Sequence, residues 1–362
     1  MKNHLVTRLS SLVAAALAAS AASAAEWFVS PTGSDSAAGT EAAPLRTIQC
    51  AVDTASAEDI ITLLPGDHVE GSTSEGSAGL SRANVTKKLT IRSKNGRASR
   101  DATRIVGAYA TGGGSSDPVG IGTDAIRGLR FASGSSGSRV EGITFYRGST
   151  GTTTTNSGDG GGGALVPDAN TKVDFVDCAF VECRARRGGG IYATTTNNDN
   201  TRAVRCLFKN CADLKFGSAM RGGSTYFCVF DGNYMARSAT GGNPSGADGS
   251  NAKPAFSYGY RAVNCTFVNN QLAGLVVDGT GCFNGGIYNN LFQRNLDGNN
   301  TSYGVQFKGT SFDLLVGKGW VDALTNQVAT TSKMNVFSPY DGDYRLTVDS
   351  DALGAGSAEP LA

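Results

Sequence analysis

A parallel β-helix is the fold class this sequence predicts, and three observations predict it. A short phrase recurs in register. The composition is poor in charge and rich in glycine. A capping pattern precedes the repeats. The phrase reads VDCAFVEC at 176–183, VRCLFKNC at 204–211, YFCVFDGN at 226–233, VNCTFVNN at 263–270 and YNNLFQRN at 288–295. Its third residue is Cys178, Cys206, Cys228, Cys265 and then Asn290. Its fifth is always phenylalanine: Phe180, Phe208, Phe230, Phe267 and Phe292. Its eighth is Cys183, Cys211, Asn233, Asn270 and Asn295. Intervals of 28, 22, 37 and 25 residues between the five copies mark a solenoid rather than a single globular core.

The phrase reads as a strand. Side chains alternate along a strand, so the third and fifth columns share one side. The second column is mostly polar: Asp177, Arg205, Phe227, Asn264 and Asn289. One short strand per period cannot bury its apolar side alone. Stacking successive turns about 4.8 Å apart buries like on like. Phenylalanine should therefore stack on phenylalanine, and asparagine on asparagine at the turns.

Residues 1–24 carry the pattern of a secretory signal. Lys2 and Arg8 precede an apolar run from Leu9 to Ala22, and Ala22-Ser23-Ala24 is a small-residue cleavage site. No later stretch is apolar for long enough to span a bilayer. Lys+Arg number 32 against 31 Asp+Glu. Removing Lys2 and Arg8 leaves the balance near neutral, which gives no electrostatic case for nucleic acid. Only 17% of residues are charged, and glycine contributes 49 of 362, a composition suited to many tight turns.

The stretch from Trp27 to Gly71 predicts a cap. Trp27–Val29 is a short strand. Thr47 is placed to cap a helix in which Ile48, Ala51, Val52 and Ala55 form one apolar face. Ile60–Leu64 is a strand closed by Pro65-Gly66. Such a helix covers the open end of a β-stack and blocks edge-to-edge association. The pattern Phe28-Val29-Ser30-Pro31-x-Gly33-x-Asp35, then Gly39-Thr40, Pro44-Leu45-Arg46-Thr47-Ile48-Gln49 and Leu64-Pro65-Gly66-Asp67 resembles the N-terminal cap of the pectate-lyase-like right-handed parallel β-helix superfamily. The phrase itself, with Gly188–Tyr192 and Gly285–Tyr288, is similar to the repeats of polymorphic outer-membrane proteins. Gly342–Leu346 and Ser350–Gly356 are similar to the last rung of secreted bacterial β-helix proteins, without the proline and aspartate usual there.

The expected organisation is thus all-β. A signal peptide at 1–24 precedes a single-stranded right-handed parallel β-helix at 25–310, whose cap is about 25–71. A final rung and C-terminal cap occupy 311–362. Handedness follows from the general rule for parallel crossovers and from the resemblance. KKLTIRSK (87–94) and EGITFYRG (141–148) read as weaker copies of the phrase. Residues 150–163 and 241–254 read as loops, and Trp320–Val328 as a short helix or irregular cap. Second strands are expected at Gly188–Tyr192, Phe216–Met220 and Ala273–Val277.

Several chemistries can be weighed from residue types. Gly158, Gly160 and Gly163 form a literal GxGxxG, but no helix pattern follows, so a dinucleotide site is not expected. The eight cysteines leave three readings open: buried ladder thiols, disulfides or a metal. Cys183 and Cys211 would lie within reach of a disulfide if their turns stack. His68 is the sole histidine after the signal. A structural role is expected for it, with no catalytic triad or histidine-based zinc site. No Asp-Asp pair marks a glycosidase.

A β-eliminating lyase needs a base beside a uronate carboxylate and a cation for the resulting anion. One patch offers these groups. Asp174 and Asp177 could hold Ca²⁺, with Arg205 or Lys209 as base and Arg261 near the same face. Two readings follow. The first is a secreted, non-catalytic, adhesin-like protein that binds a polysaccharide or cell-surface glycan, expected as a monomer in the extracellular space, at the cell surface or in the periplasm. The second, implied by the resemblance, is a polysaccharide lyase acting on a uronate-containing polymer, with Ca²⁺ as its cofactor.

Overall fold

The architecture follows from three strands per turn, not from one long strand. A computed structural model describes residues 24–74, 79–111, 120–151, 160–194, 198–213, 217–235 and 255–270. Beyond them it describes only Asn290 and the backbone of short strands at 275–277, 286–288, 291–293, 305–307, 327–329, 336–338 and 343–346. The signal segment, the 241–254 insertion and most of 311–362 lie outside the described residues.

Three nine-stranded sheets run the length of the coil. The first sheet starts with Glu26–Val29 and Ile60–Leu63 and ascends through Val173–Val176, Thr201–Val204, Ser224–Tyr226 and Arg261–Val263. The second contains Thr144–Tyr146, Ala179–Val181, Leu207–Lys209, Val229–Asp231 and Thr266–Val268. The third contains Ile126–Phe131, Ala164–Val166, Ile191–Ala193, Met220–Arg221 and Phe256–Ser257. Pairing within these sheets is parallel, apart from the N-terminal strand Thr73–Ser74, which joins the third sheet antiparallel. This is a parallel β-helix.

The repeated phrase is not one strand. Its second and seventh residues have left-handed backbone: φ is 53° at Asp177, 53° at Arg205, 55° at Phe227 and 52° at Asn264. It is 54° at Glu182, 53° at Asn210 and 52° at Asn269. Each phrase is therefore a corner, a three-residue strand of the second sheet, and another corner. The third and eighth residues point inward just past the two corners. The strand before each phrase, in the first sheet, has no fixed letter and escapes the repeat. Its inward column runs Ile61, Ile91, Val140, Phe175, Ala203, Thr225 and Ala262, all 0% exposed. The expected second strands belong to the third sheet, as Ile191–Ala193, Met220–Arg221 and Leu275–Val277, the first two shifted toward the C-terminus and the last within its expected range.

The phenylalanine column stacks as expected. Phe145, Phe180, Phe208, Phe230 and Phe267 are fully buried, with successive centroids 4.7, 5.0, 4.7 and 4.5 Å apart and planes within 9°. Isolated aromatic pairs favour offset or edge-on contacts, so register imposes this stack. EGITFYRG joins the column, since Phe145 pairs with Phe180. KKLTIRSK does not. Thr90–Ser93 belongs to the first sheet, and the residue opposite Phe145 is Ile105. That phrase is therefore a correction to the expected repeat.

Cysteine and asparagine do one job in the inward columns. Asn233 Oδ1 accepts the Cys211 N–H at 2.9 Å, and its Nδ2 donates to the Phe208 carbonyl at 3.1 Å. Asn270 Nδ2 likewise donates to the Phe230 carbonyl, and its Oδ1 accepts the Asn233 N–H. Cys228 Sγ accepts the Cys206 N–H at 3.4 Å and donates to the Ala203 carbonyl at 3.2 Å. Both side chains thus satisfy backbone groups of the preceding turn, which buried backbone requires. The seven described cysteines are free thiols, Cys183 and Cys211 among them. Burial pushes the Cys178, Cys211 and Cys228 thiols up.

The cap forms as read. Helix α1 spans Ile48–Thr54, Thr47 Oγ1 accepts the Cys50 N–H at 3.1 Å, and Ile48, Ala51, Val52 and Ala55 are buried. Asp35 ties the cap down by accepting from the Arg46 and Thr47 N–H groups. His68 is buried, with Nε2 2.9 Å from the Leu64 carbonyl oxygen, and burial lowers its pKa. Gly160–Gly163 lead into the strand Ala164–Val166 rather than a helix, and Gly158 lies outside the described residues. Near the end, Asp343–Leu346 pairs antiparallel with Val336–Ser338, and Ser350–Gly356 of the expected final rung lie outside the described residues. The strand Gln327–Ala329 occupies the end of the expected terminal cap.

Candidate binding face on the first sheet

Outward residues of the first sheet make a charged face. Alternation that buries Phe175 and Ala203 sets Arg139, Asp174, Arg202, Ser224 and Arg261 on the other side in one column, in which Ser224 is covered and the charged members reach solvent. A neighbouring column holds Arg92, Glu141, Val176, Val204, Tyr226 and Val263, of which Val176 and Val263 are buried. Opposite charges meet across turns and along a strand. Arg202 donates from Nε and Nη2 to the two Asp174 oxygens, both at 2.7 Å. Arg139 Nε lies 3.1 Å from Glu141 Oε2.

The corner following this sheet repeats the pairing. Arg205 donates to both Asp177 oxygens at 2.8 and 2.7 Å. Arg97 approaches the same carboxylate at 3.6 Å. The hydrogen bonds from Arg205 hold the Asp177 carboxyl below the usual aspartate range, and Asp177 in turn raises the Arg205 pKa. Two guanidiniums on one carboxylate leave a local surplus of positive charge. One turn further, Tyr226 donates to Asp199 Oδ2 at 2.7 Å, and Arg261 hydrogen-bonds the same tyrosine. Burial, and then the bond to Asp199, push the Tyr226 hydroxyl up to about 12.

Phe227 follows Tyr226 at the corner and is 54% exposed. Its place in the stack is fixed by the Phe227 N–H, which donates to the Val263 carbonyl, and by the Arg205 N–H, which donates to the Tyr226 carbonyl. Arg205, Phe227 and Asn264 therefore stand one above another on successive turns.

The structure sorts the residues singled out by sequence. Asp177 and Arg205 meet, as their column positions implied. Asp174 and Asp177 do not form a ligand pair, because each gives both oxygens to its own arginine. Among the described residues no group of three or more His, Cys, Asp or Glu side chains is placed to hold a metal. At Asp174 and Asp177 themselves, carboxylates already held by guanidiniums do not make a Ca²⁺ ligand pair. Lys209 projects from the second sheet, with Nζ 3.6 Å from Asp231 Oδ2, whereas Arg261 lies on the first. They do not share a face. Arg202, Asp199, Tyr226 and Phe227 were not singled out as site residues. Arg202 was legible, since it stands 28 residues after Asp174, the same interval that relates Arg205 to Asp177.

No family model matches the chain, and no curated protein matches it. Solved structures do. A pectate lyase, Pel9A, is similar over 93% of each chain at 14% identity, with a TM-score of 0.37. A rhamnogalacturonan lyase is similar over 80% of this chain and 64% of its own at 14% identity, TM-score 0.29. A GH136 lacto-N-biosidase from Eubacterium ramulus covers 79% and 68% at 11% identity, TM-score 0.26. The fold stands on the strand register given above. No helix among the described residues is long and apolar enough to cross a membrane.

Proposed function

We propose that this protein is a secreted, non-catalytic β-helix that binds a polysaccharide or cell-surface glycan along the outer face of the first sheet and its corner. One observation carries the reading: arginine–carboxylate pairs cluster there beside Tyr226 and an exposed Phe227. Sugars offer hydroxyls along their edges and apolar C–H faces. A row of planar guanidiniums, carboxylates and aromatic rings suits both. The turns repeat about every 4.8 Å, which suits an extended chain better than a compact ligand.

The lyase alternative asks for a base. Arg205 is held protonated by Asp177, which works against that role. The test is incubation of the purified protein with uronate polymers plus Ca²⁺, followed by ultraviolet absorbance of the unsaturated product. In parallel, retention on the same polymers is measured by affinity electrophoresis. The expected result is retention without product. Product formation would replace this reading with the lyase.

A further inference from the structure

Phe227 is an outlier within its own column. The second residues of the phrase all adopt left-handed backbone, and elsewhere that place holds Gly142, Asp177, Arg205 and Asn264. Glycine, asparagine and aspartate accept this conformation readily, and a bulky aromatic does not. Phe227 accepts it at φ 55° and then leaves its ring half in solvent. Other outward aromatics are covered. Tyr109, Tyr146, Tyr192, Tyr258 and Tyr260 each lie under an arginine, at 4.3 to 5.3 Å from guanidinium carbon to ring centroid. Among the described residues no arginine or second ring covers Phe227.

We propose that the Phe227 ring is the stacking platform for one pyranose ring of the glycan, an inference that rests on the binding function above. The apolar face of a sugar, with its partly positive C–H groups, lies against the negative face of an aromatic ring. Arg205 one turn before and Asn264 one turn after occupy the same corner column, so polar side chains that can meet sugar hydroxyls flank the ring's turn. A protein partner is the poorer fit. Val69 is the only other exposed large apolar side chain among the described residues, and a protein interface needs a contiguous apolar core.

The column itself supplies the variant. Asn264 shows that asparagine fits this corner at φ 52°. Phe227→Asn therefore relieves strain and removes the platform together. Affinity electrophoresis in gels holding polygalacturonate, alginate, xylan or galactan measures binding, and thermal unfolding measures stability. The inference expects Phe227→Asn to weaken retention about five- to tenfold. It expects a midpoint raised by about 2 °C, and retention kept by Phe227→Trp. Undiminished retention of Phe227→Asn overturns this inference and leaves the glycan reading standing. A parent protein retained by none of the four polymers overturns both. A parent that sediments as a dimer while Phe227→Asn sediments as a monomer overturns the sugar platform, since the ring then faces a second copy.

Discussion

The two corners of the repeated phrase share one backbone conformation and differ in what they do with it. The second corner is closed on itself. Its column runs Arg147, Glu182, Asn210, Gly232 and Asn269. There Tyr109 lies between Arg147 and Arg184, 4.6 and 4.3 Å from their guanidinium carbons, and its hydroxyl donates to the Glu182 carbonyl. Arg147 also approaches Tyr146, over which Arg104 lies as well. The first corner is open. Its carboxylate is engaged by arginines, yet its aromatic residue is not covered. The backbone of a solenoid corner thus sets where a side chain projects, and the neighbouring turns decide whether it serves stability or is left for a ligand.

Four substitutions sharpen the comparison. The largest effect is expected behind the second corner, where Asn233 serves the backbone of the preceding turn. Asn233→Ala orphans the Cys211 N–H and the Phe208 carbonyl and should cost about 3 kcal/mol in urea unfolding. Next comes Tyr109→Ala, which removes two cation–π contacts and a half-buried ring, for about 2 kcal/mol with glycan retention unchanged. Survival of full stability in Tyr109→Ala would break the claim that this corner is a clamp.

Asp177→Asn at the first corner should cost less, about 1 kcal/mol at neutral pH, because Arg205 is nearly half exposed. The pH sign follows from the lowered Asp177 pKa. The pair's contribution is complete above the unfolded carboxylate pKa, near 3.9, and is lost as pH falls through the lower folded value. Unfolding midpoints between pH 7 and 2 should therefore fall less steeply for Asp177→Asn than for the parent. The smallest effect is a pH response of the same sign, but at higher pH, at His68. Its lowered pKa means that the unfolded chain takes up the proton first. Stability then declines as pH drops below about 6.5, and His68→Leu should remove that step from the pH–midpoint curve.

Legibility in the sequence followed geometry. The phenylalanine column was readable because a parallel stack rewards identical rings, so Phe180, Phe208 and Phe230 repeat as letters. Of the first sheet, the N-terminal strands Glu26–Val29 and Ile60–Leu63 were readable, but the strands before the phrases were not, because a helix interior asks only for complementary volume. Ile91, Val140, Phe175 and Ala203 fill one column without sharing a letter. The corners were half visible. Asp177, Asn264 and Asn269 are residues that tolerate left-handed backbone, but Arg205 and Phe227 in the same column masked the pattern, so the phrase read as a continuous strand. Of the binding face, the Asp177–Arg205 pair could be inferred from the stacking interval. Phe227 was passed over as one apolar member of a polar column. Its isolation becomes visible only when the arginines that cover the other aromatics are placed.

The central claim is that the two corners divide binding from stability. Thermal unfolding and glycan retention measured on Phe227→Asn and Tyr109→Ala side by side test it most directly. The account predicts that Phe227→Asn loses retention while its midpoint holds or rises, and that Tyr109→Ala loses midpoint while its retention holds. Loss of retention in Tyr109→Ala with none in Phe227→Asn would contradict it.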